Sequence, residues 1–182
     1  MISLRDLAPG DRESIRLWRN DPQVRRCMYT GHEISQEEHN AWFSRIQHDP
    51  TCRYWIIVCD GEDAGLLYLQ DIDAKNRHCY WGFYTSGADV RGKGVGNFAE
   101  FSILRYVFEE LQFRKLCAEV LAFNKAVLNM HKKFGFVQEG VLRKHILKDG
   151  VFEDVVCISI LREEWDAKKS ELELRLQAKG IL

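Results

Sequence analysis

A glycine-rich segment near the middle of the chain has the composition of an anion-binding loop. Its residues are Arg91, Gly92, Lys93, Gly94, Val95 and Gly96, and Asn97 follows. Three glycines let a ligand approach the backbone closely, and the amides at the start of a following helix favour an anion such as a pyrophosphate. The spacing is neither G-x-x-x-x-G-K-S/T nor G-x-G-x-x-G, and a glycine-rich turn by itself is more often a plain turn.

A second group of polar residues follows about thirty residues later. Asn124 is suited to cap a helix, and its side-chain amide could also bond a ligand. His131 shares one helix face with Val127 and Leu128, which brings an imidazole to the apolar side. Without further context, His131 is better explained as a satisfied core histidine than as a catalytic group.

The elements that must position these residues alternate between the two types of secondary structure. Apolar runs separated by polar turns predict strands at 2–7, 53–59, 64–72, 78–85, 115–121, 136–147 and 151–161. Helical spacing predicts helices ending near 20 and spanning 35–48, 98–111 and 124–133, with a loop at 23–33. One mixed α+β domain at 1–161 is expected, and 162–182 is either an amphipathic closing helix or a frayed end.

The composition restricts the class of protein. A chain of 182 residues fits one domain, and a net charge of -1 gives no support to a nucleic-acid or membrane-surface protein. No apolar run approaches the roughly 20 residues of a membrane span, and the start of the chain has no apolar signal core. The cysteines form no C-x-x-C pair. We therefore expect a cytoplasmic protein with no metal, nucleic-acid or membrane partner.

The loop at 91–96 and the helix that opens at Asn124 and closes in Gly135-Phe136 together resemble the GNAT superfamily of N-acetyltransferases. The resemblance implies a mostly antiparallel seven-stranded sheet with splayed strands 4 and 5 and about four helices. It also implies that acetyl-coenzyme A lies in that gap with its pyrophosphate on the loop. Asn124 and the backbone near Phe83 and Tyr84 would then contact the coenzyme, and those amides would face the thioester oxygen.

The N-terminal third is similar to the acetyltransferases of pseudaminic acid biosynthesis. The matching segments are Trp18-Arg19-Asn20-Asp21-Pro22, Met28-Tyr29-Thr30, Ile34-Ser35, His39, 78–84, 131–133 and 149–154. The resemblance implies acetylation of the 4-amino group of a UDP-linked sugar, UDP-4-amino-4,6-dideoxy-N-acetyl-β-L-altrosamine. The acceptor would thus be a small nucleotide sugar. The sequence does not decide whether the protein forms a homodimer.

Before Tyr54 the chain contains arginines but no lysine. Arginine makes planar, bidentate contacts to phosphate. The resemblance implies that Arg19 and His39 bind the diphosphate of the nucleotide sugar. Asn20 is a further candidate for substrate binding. Met28 and Tyr29 would form an apolar shelf for the deoxysugar and the uracil ring. The alternatives are surface ion pairs for the arginines and core positions for Met28 and Tyr29.

Direct attack of the amine on the thioester needs a base, an oxyanion site and an acid for the leaving sulfur. His131 is the candidate acid, at a position where the family usually has tyrosine. His78 or Tyr80 could act as base through water, or could shape the pocket. The competing functions are a ribosomal-protein or peptide Nα-acetyltransferase and a non-catalytic module that binds acetyl-coenzyme A.

Overall fold

A seven-stranded sheet runs through the computed structural model, which describes residues 1–87, 90 and 92–182. The strands are β1 (Ile2–Asp6), β2 (Arg53–Cys59), β3 (Glu62–Asp73), β4 (His78–Thr85), β5 (Lys115–Leu121), β6 (Val137–Lys148) and β7 (Val151–Leu161). Their order is β1-β2-β3-β4-β5-β7-β6, and every neighbouring pair is antiparallel except β4 with β5. The predicted α+β fold class is confirmed.

Helices cover both faces of the sheet. They are α1 (Arg12–Asn20), α2 (Pro22–Arg26), α3 (Gln36–Ile46), α4 (Val95–Arg105), α5 (Lys125–Phe134) and α6 (Arg162–Gln177). A 3-10 turn at Pro9–Asp11 precedes α1, and a π-helical turn at Tyr106–Glu110 extends α4. None of the described helices combines the length and the hydropathy that crossing a bilayer requires.

Two apolar clusters hold these helices, because successive strand residues point to opposite faces. On β2, Ile57 belongs to the larger cluster, which also buries parts of α4, α5 and α6. Its neighbour Ile56 belongs to the smaller cluster, together with Ile15 of α1 and Phe43 of α3. The sheet is therefore fixed from both sides, with α1 and α3 on one face and α4 to α6 on the other.

The structure corrects the predicted elements at several places. The expected loop at 23–33 begins with α2, because Pro22 is suited to the first helical position and the Asp21 side chain accepts a hydrogen bond from the Gln23 amide. The helix predicted to reach His48 ends at Ile46, and the one predicted to reach Leu111 changes to the π-helical turn after Arg105. The segment after 161 forms a closing helix, α6, with Trp165 fully buried in the larger cluster.

Candidate active site

A wedge-shaped opening lies between β4 and β5. The two strands pair in parallel only at His78↔Lys115, Cys79↔Leu116 and Tyr80↔Cys117. Beyond that point β4 continues to pair with β3 and β5 with β7. The backbone groups at 81–85 that point toward β5 therefore have no strand partner, which leaves amides able to bond a ligand. The predicted splay of the fourth and fifth strands is confirmed.

A cavity of about 460 Å³ fills this opening, and we call it the wedge cavity. Phe83 and Tyr84 of β4 line one wall, while Asn124 and His131 come from the start and the last turn of α5. The Asn124 side chain caps α5 by accepting a hydrogen bond from the Val127 amide at 3.4 Å. The structure thus brings these four predicted residues around one space.

The glycine-rich loop forms the start of α4. Gly94 is the N-cap residue with φ of 84°, a left-handed conformation that glycine adopts without steric cost. The first turn carries Val95, Gly96 and Asn97 and has no acidic residue, so its amides and the helix dipole favour an anion. A Cβ built on Gly96 would lie 3.3 Å from Phe83 Cζ, so this turn adjoins the wall of the wedge cavity.

The remaining residues of the loop are Arg91, Gly92 and Lys93. Arg91 lies outside the described residues, and Gly92 has φ of 80° in the turn before α4. The ammonium of Lys93 lies 3.2 Å from Asp60, whose pKa falls to about 2 through hydrogen bonds from the chain's terminal amine and Lys93. Since that charge is already paired, the main-chain amides are the stronger anion-binding feature of the loop.

A second cavity, of about 390 Å³, lies between α1, α3, residues 27–34 and the sheet. Aromatic rings dominate its lining, so we call it the ring-lined cavity; they include Tyr29, Trp42, Tyr54, Tyr68, Tyr80, Trp81 and Tyr84. The rings of Tyr54 and Tyr68 stack with centroids 5.7 Å apart. Flat apolar surfaces of this kind suit a planar ring or a sugar face.

The two cavities meet at a common wall. The residues that line both are Cys27, Met28, Tyr68, Trp81, Tyr84 and Glu119. A molecule in the wedge cavity and one in the ring-lined cavity would therefore approach each other there, as two substrates of a group transfer must. Of the shared residues, Glu119 carries the carboxylate.

The guanidinium of Arg19 lines the ring-lined cavity without an acidic partner in the described part of the chain. Its Nη2 donates a long hydrogen bond, 3.5 Å, to the Thr30 carbonyl, and its Nη1 is buried with no described partner. Burial lowers the pKa of Arg19 from its ordinary value. A partly buried cation with an unused, buried donor atom is costly, and an anionic ligand would relieve that cost.

His39 and Asn20 are positioned differently from Arg19. The Nε2 of His39 lies 2.7 Å from the Arg12 carbonyl, which fixes the ring against α1, and burial lowers the pKa of His39. His39 still lines the ring-lined cavity, whereas Asn20 lines neither cavity. The Asn20 amide instead bonds both the N–H and the C=O of Ile34, so it holds the loop that follows α2.

That loop carries Met28 and Tyr29 into the ring-lined cavity and is fixed at its other end by Lys148. The ammonium of Lys148, 7% exposed at the tip of the β6–β7 hairpin, donates to the carbonyls of Met28 at 2.7 Å and Arg25 at 3.3 Å. The Tyr29 hydroxyl donates to Glu119 at 2.5 Å, and burial together with that carboxylate raises the pKa of Tyr29.

Glu119 and Lys148 are functional candidates that the sequence analysis missed. Glu119 is exposed on β5, although its neighbours on both sides are buried. A charged residue inside an apolar strand is the signal that could have identified it. Nothing local in the sequence points to Lys148, because its partners lie 120 or more residues away.

The candidate acid His131 is 4% exposed and lies in the wall of the wedge cavity. Its Nδ1 is 2.7 Å from Oε1 of Glu100, a fully buried residue of α4. The rings of Trp81 and Phe136 flank the imidazole, each with a centroid distance of 5.2 Å. His131 is thus both a packed core residue and a wall of the cavity.

The two candidate bases from the sequence are separated by the structure. Tyr80 lines the ring-lined cavity, and burial raises its pKa. His78 lines neither cavity, and its Nε2 lies 3.7 Å from Asp73 at the closed end of β4. For metals, no group of three His, Cys, Asp or Glu side chains suited to one ion occurs within the described residues.

Comparison with known proteins gives a consistent result. A family model described as an acetyltransferase (GNAT) domain matches residues 2–137. The acetyltransferase PseH of Campylobacter jejuni is 30% identical over 139 residues, covering 75% of this chain and 85% of that protein. An uncharacterized prophage N-acetyltransferase of Bacillus subtilis, YokL, is 30% identical over 148 residues, covering 80% and 82%.

The solved structures show the same architecture. A spermidine N-acetyltransferase from Vibrio cholerae in complex with CoA and spermine superposes with a TM-score of 0.83. Its sequence is 23% identical, and the match covers 90% of this chain and 97% of that one. At that identity the likeness concerns the fold.

Proposed function

We propose that this chain, which belongs to the GNAT family of acetyltransferases, acetylates the 4-amino group of a UDP-linked amino-deoxysugar. Family membership makes the protein an acetyl-coenzyme A-dependent N-acetyltransferase. The proposed acceptor is UDP-4-amino-4,6-dideoxy-N-acetyl-β-L-altrosamine, as the resemblance to the enzymes of pseudaminic acid biosynthesis implies. The observation that carries this proposal is the guanidinium of Arg19 in the ring-lined cavity, which has no acidic partner among the described residues.

A diphosphate would give Arg19 the anionic partner it lacks among the described residues. The neighbouring rings offer a stacking surface for uracil, and Met28 offers an apolar contact for a deoxysugar methyl group. A polyamine would leave Arg19 without an anionic partner and would bring further positive charge beside it, which is unfavourable in a medium of low dielectric constant. Glu38 and Glu119 line the same cavity and could pair with ammonium groups, so the preference for the nucleotide sugar over spermidine rests on Arg19.

Acetyl-coenzyme A is assigned to the wedge cavity, with its pyrophosphate on the amides at 92–97. The thioester carbonyl would then face the free amides of the 81–85 segment, near Phe83 and Tyr84. Such donors stabilise the oxyanion that forms when the amine attacks. Asn124, at the opposite wall, would bond an amide of the pantetheine arm.

In the proposed mechanism Glu119 takes the proton that the amine must lose. Its carboxylate lies at the wall shared by the two cavities, where amine and thioester would meet. Tyr80 is close enough along β4 to shape the acceptor site, whereas His78 is outside it. After attack, the tetrahedral intermediate expels the thiolate, and His131 donates a proton to the sulfur.

A homodimer remains a prediction, which light scattering would test.

The experiment is to follow thiol release from acetyl-coenzyme A with a panel of amines. We expect release with the UDP-amino sugar, whereas the kcat/KM with spermidine or N-terminal peptides should be at least about 100-fold lower, because those amines leave the Arg19 guanidinium without an anionic partner. Release with peptides only would support a peptide Nα-acetyltransferase. Binding of acetyl-coenzyme A without release for any amine would indicate a non-catalytic module. Turnover with spermidine only would contradict the role given to Arg19.

A further inference from the structure

Two titratable side chains meet in the core behind the wedge cavity. Glu100 lies in α4, fully buried, and its Oε1 is 2.7 Å from Nδ1 of His131. No described residue hydrogen-bonds its second oxygen, Oε2. Because an apolar pair would pack at lower cost in such a place, a buried carboxyl–imidazole pair requires an explanation.

Three charged residues lie near this pair or line the same cavity as His131. Arg175 of α6 acts on Glu100 and favours its ionised form. Glu119 of β5 and Asp21, before α2, line the same wedge cavity as His131. Among the described residues, the β4 side and the turn after α5 contribute only the rings of Trp81 and Phe136 to the imidazole.

Burial determines how many protons the pair holds. Desolvation raises the pKa of Glu100, and the hydrogen bond and charge of His131 oppose that rise only in part. A pair that holds one proton between Oε1 and Nδ1 is neutral overall, and an apolar setting favours a neutral pair. If that proton is on Nδ1, the imidazole is an imidazolium and Nε2 is protonated. If it is on Oε1, the neutral ring carries its own proton on Nε2.

We propose that Glu100 is a positioning residue that keeps the Nε2 of His131 protonated and free to donate toward the wedge cavity. Within the described chain, the hydrogen bond of this ring is the one between Nδ1 and Glu100, and the residue itself lines the wedge cavity. This inference rests on the proposed function, because the acceptor of the Nε2 proton is the leaving thiolate.

The proton transfer balances without a further reactant. As the carbon–sulfur bond breaks, the sulfur takes the bonding electron pair and the Nε2 proton, and coenzyme A leaves as the thiol. The imidazole keeps the Nδ1 proton, which is hydrogen-bonded to the Glu100 carboxylate. The proton released by the amine is on Glu119, and exchange with solvent restores both groups before the next turnover.

The direct test is nitrogen NMR of the unliganded wild-type protein with labelled imidazoles. We expect a protonated Nε2 on His131 throughout the range from about pH 6 to 8. His39 is an internal reference, because its Nε2 faces the Arg12 carbonyl. A spectrum with unprotonated Nε2 on His131 at pH 7.5 would overturn the proposal, and this readout needs no variant and no acceptor.

The second measurement compares wild type with Glu100→Leu, which replaces the carboxyl group by an apolar side chain that is one atom shorter. In the variant we expect the imidazole to titrate at lower pH, and kcat to fall by about tenfold at pH 8 with partial recovery at pH 6. The KM for acetyl-coenzyme A should change less than about twofold. An unchanged pH profile of kcat would contradict the proposal.

The two measurements distinguish this inference from the proposed acceptor. If the amino sugar fails as substrate but the His131 spectrum is as expected, the acceptor is wrong and the pair remains assigned. If the amino sugar reacts but Nε2 is unprotonated, the pair is wrong and the acceptor stands. If Glu100→Leu does not fold, the wild-type spectrum still decides.

Discussion

The wedge cavity and the ring-lined cavity are built by different means. The wedge cavity depends mainly on the backbone, since its donors come from strand ends that separate and from the first turn of α4. The ring-lined cavity depends on side chains from α1, α3 and the strands β2 to β5, and on a loop fixed by Asn20 and Lys148. Under the proposed function, features of the backbone would bind the acetyl donor, whereas side chains would select the acceptor.

This difference explains why a family can share one coenzyme and use many amines. A backbone site tolerates changes of side chain as long as the strands separate and the glycines keep their conformation. A site built from side chains changes its ligand when a few residues change. The substitutions below test the division, because each should affect one cavity and spare the other, except at the shared wall.

The largest effect is expected at that wall. Replacing Glu119 with Gln removes the base while keeping the shape, so kcat should fall by about 100-fold at neutral pH. Binding of acetyl-coenzyme A, measured by calorimetry, should change little. Glu38→Gln is the matched control, because Glu38 lines only the ring-lined cavity and bonds His32. Equal losses in both variants would contradict a special role for Glu119.

The next effect concerns the acceptor alone. Arg19→Met removes the buried cation and should raise the KM for the UDP-amino sugar by about 10- to 100-fold, the range for a charge-assisted hydrogen bond. The Kd for acetyl-coenzyme A should stay the same. Arg12→Met, an exposed change in the same helix, is the control. If acetyl-coenzyme A binding weakened instead, the division between the cavities would fail.

The substitution Gly94→Ala tests the wedge cavity, where acetyl-coenzyme A is proposed to bind. At φ of 84° an added Cβ is strained, and it would lie 2.7 Å from the side chain of Ile181. A strain of about 1 kcal/mol corresponds to about fivefold weaker binding of acetyl-coenzyme A. The KM for the acceptor should be unaffected. Gly140→Ala, with no atom within 4 Å of its added Cβ, serves as the reference.

The smallest effect on turnover is expected from Lys148, which holds the loop that follows α2. Lys148→Met leaves the carbonyls of Met28 and Arg25 without their donor, which should cost about 1–3 kcal/mol of unfolding free energy. Because the loop still has its Asn20 contact, the acceptor KM should rise only by about threefold. Thermal unfolding and initial rates measure both, against the exposed Lys144→Met. A changed Kd for acetyl-coenzyme A would contradict the interpretation that Lys148 supports only the ring-lined cavity.

The two regions also differ in how far the sequence predicts them. The strands, the glycine loop and the helix cap at Asn124 arise from local spacing, and the structure has them close to the predicted bounds. The wedge follows from those elements. Contacts between distant residues were not predictable, since the bond from Tyr29 to Glu119 joins residues 90 positions apart.

Local errors have a physical reason as well. The first helix ends at Asn20, before Pro22, as predicted, but the helix α2 that begins at Pro22 was not predicted, although proline is well suited to the first helical position. The candidate bases His78 and Tyr80, which the sequence placed on β4, stay untested predictions. The carboxylate at the shared wall instead belongs to β5, opposite the part of β4 that no longer pairs with it.

The most direct test is a crystal structure of the protein with coenzyme A and the UDP-amino sugar bound together. The account predicts the thiol between β4 and β5, the diphosphate on Arg19, and the sugar amine within about 3 Å of Glu119, the distance needed for proton transfer. Coenzyme A bound outside the wedge, or an amine far from Glu119, would contradict it.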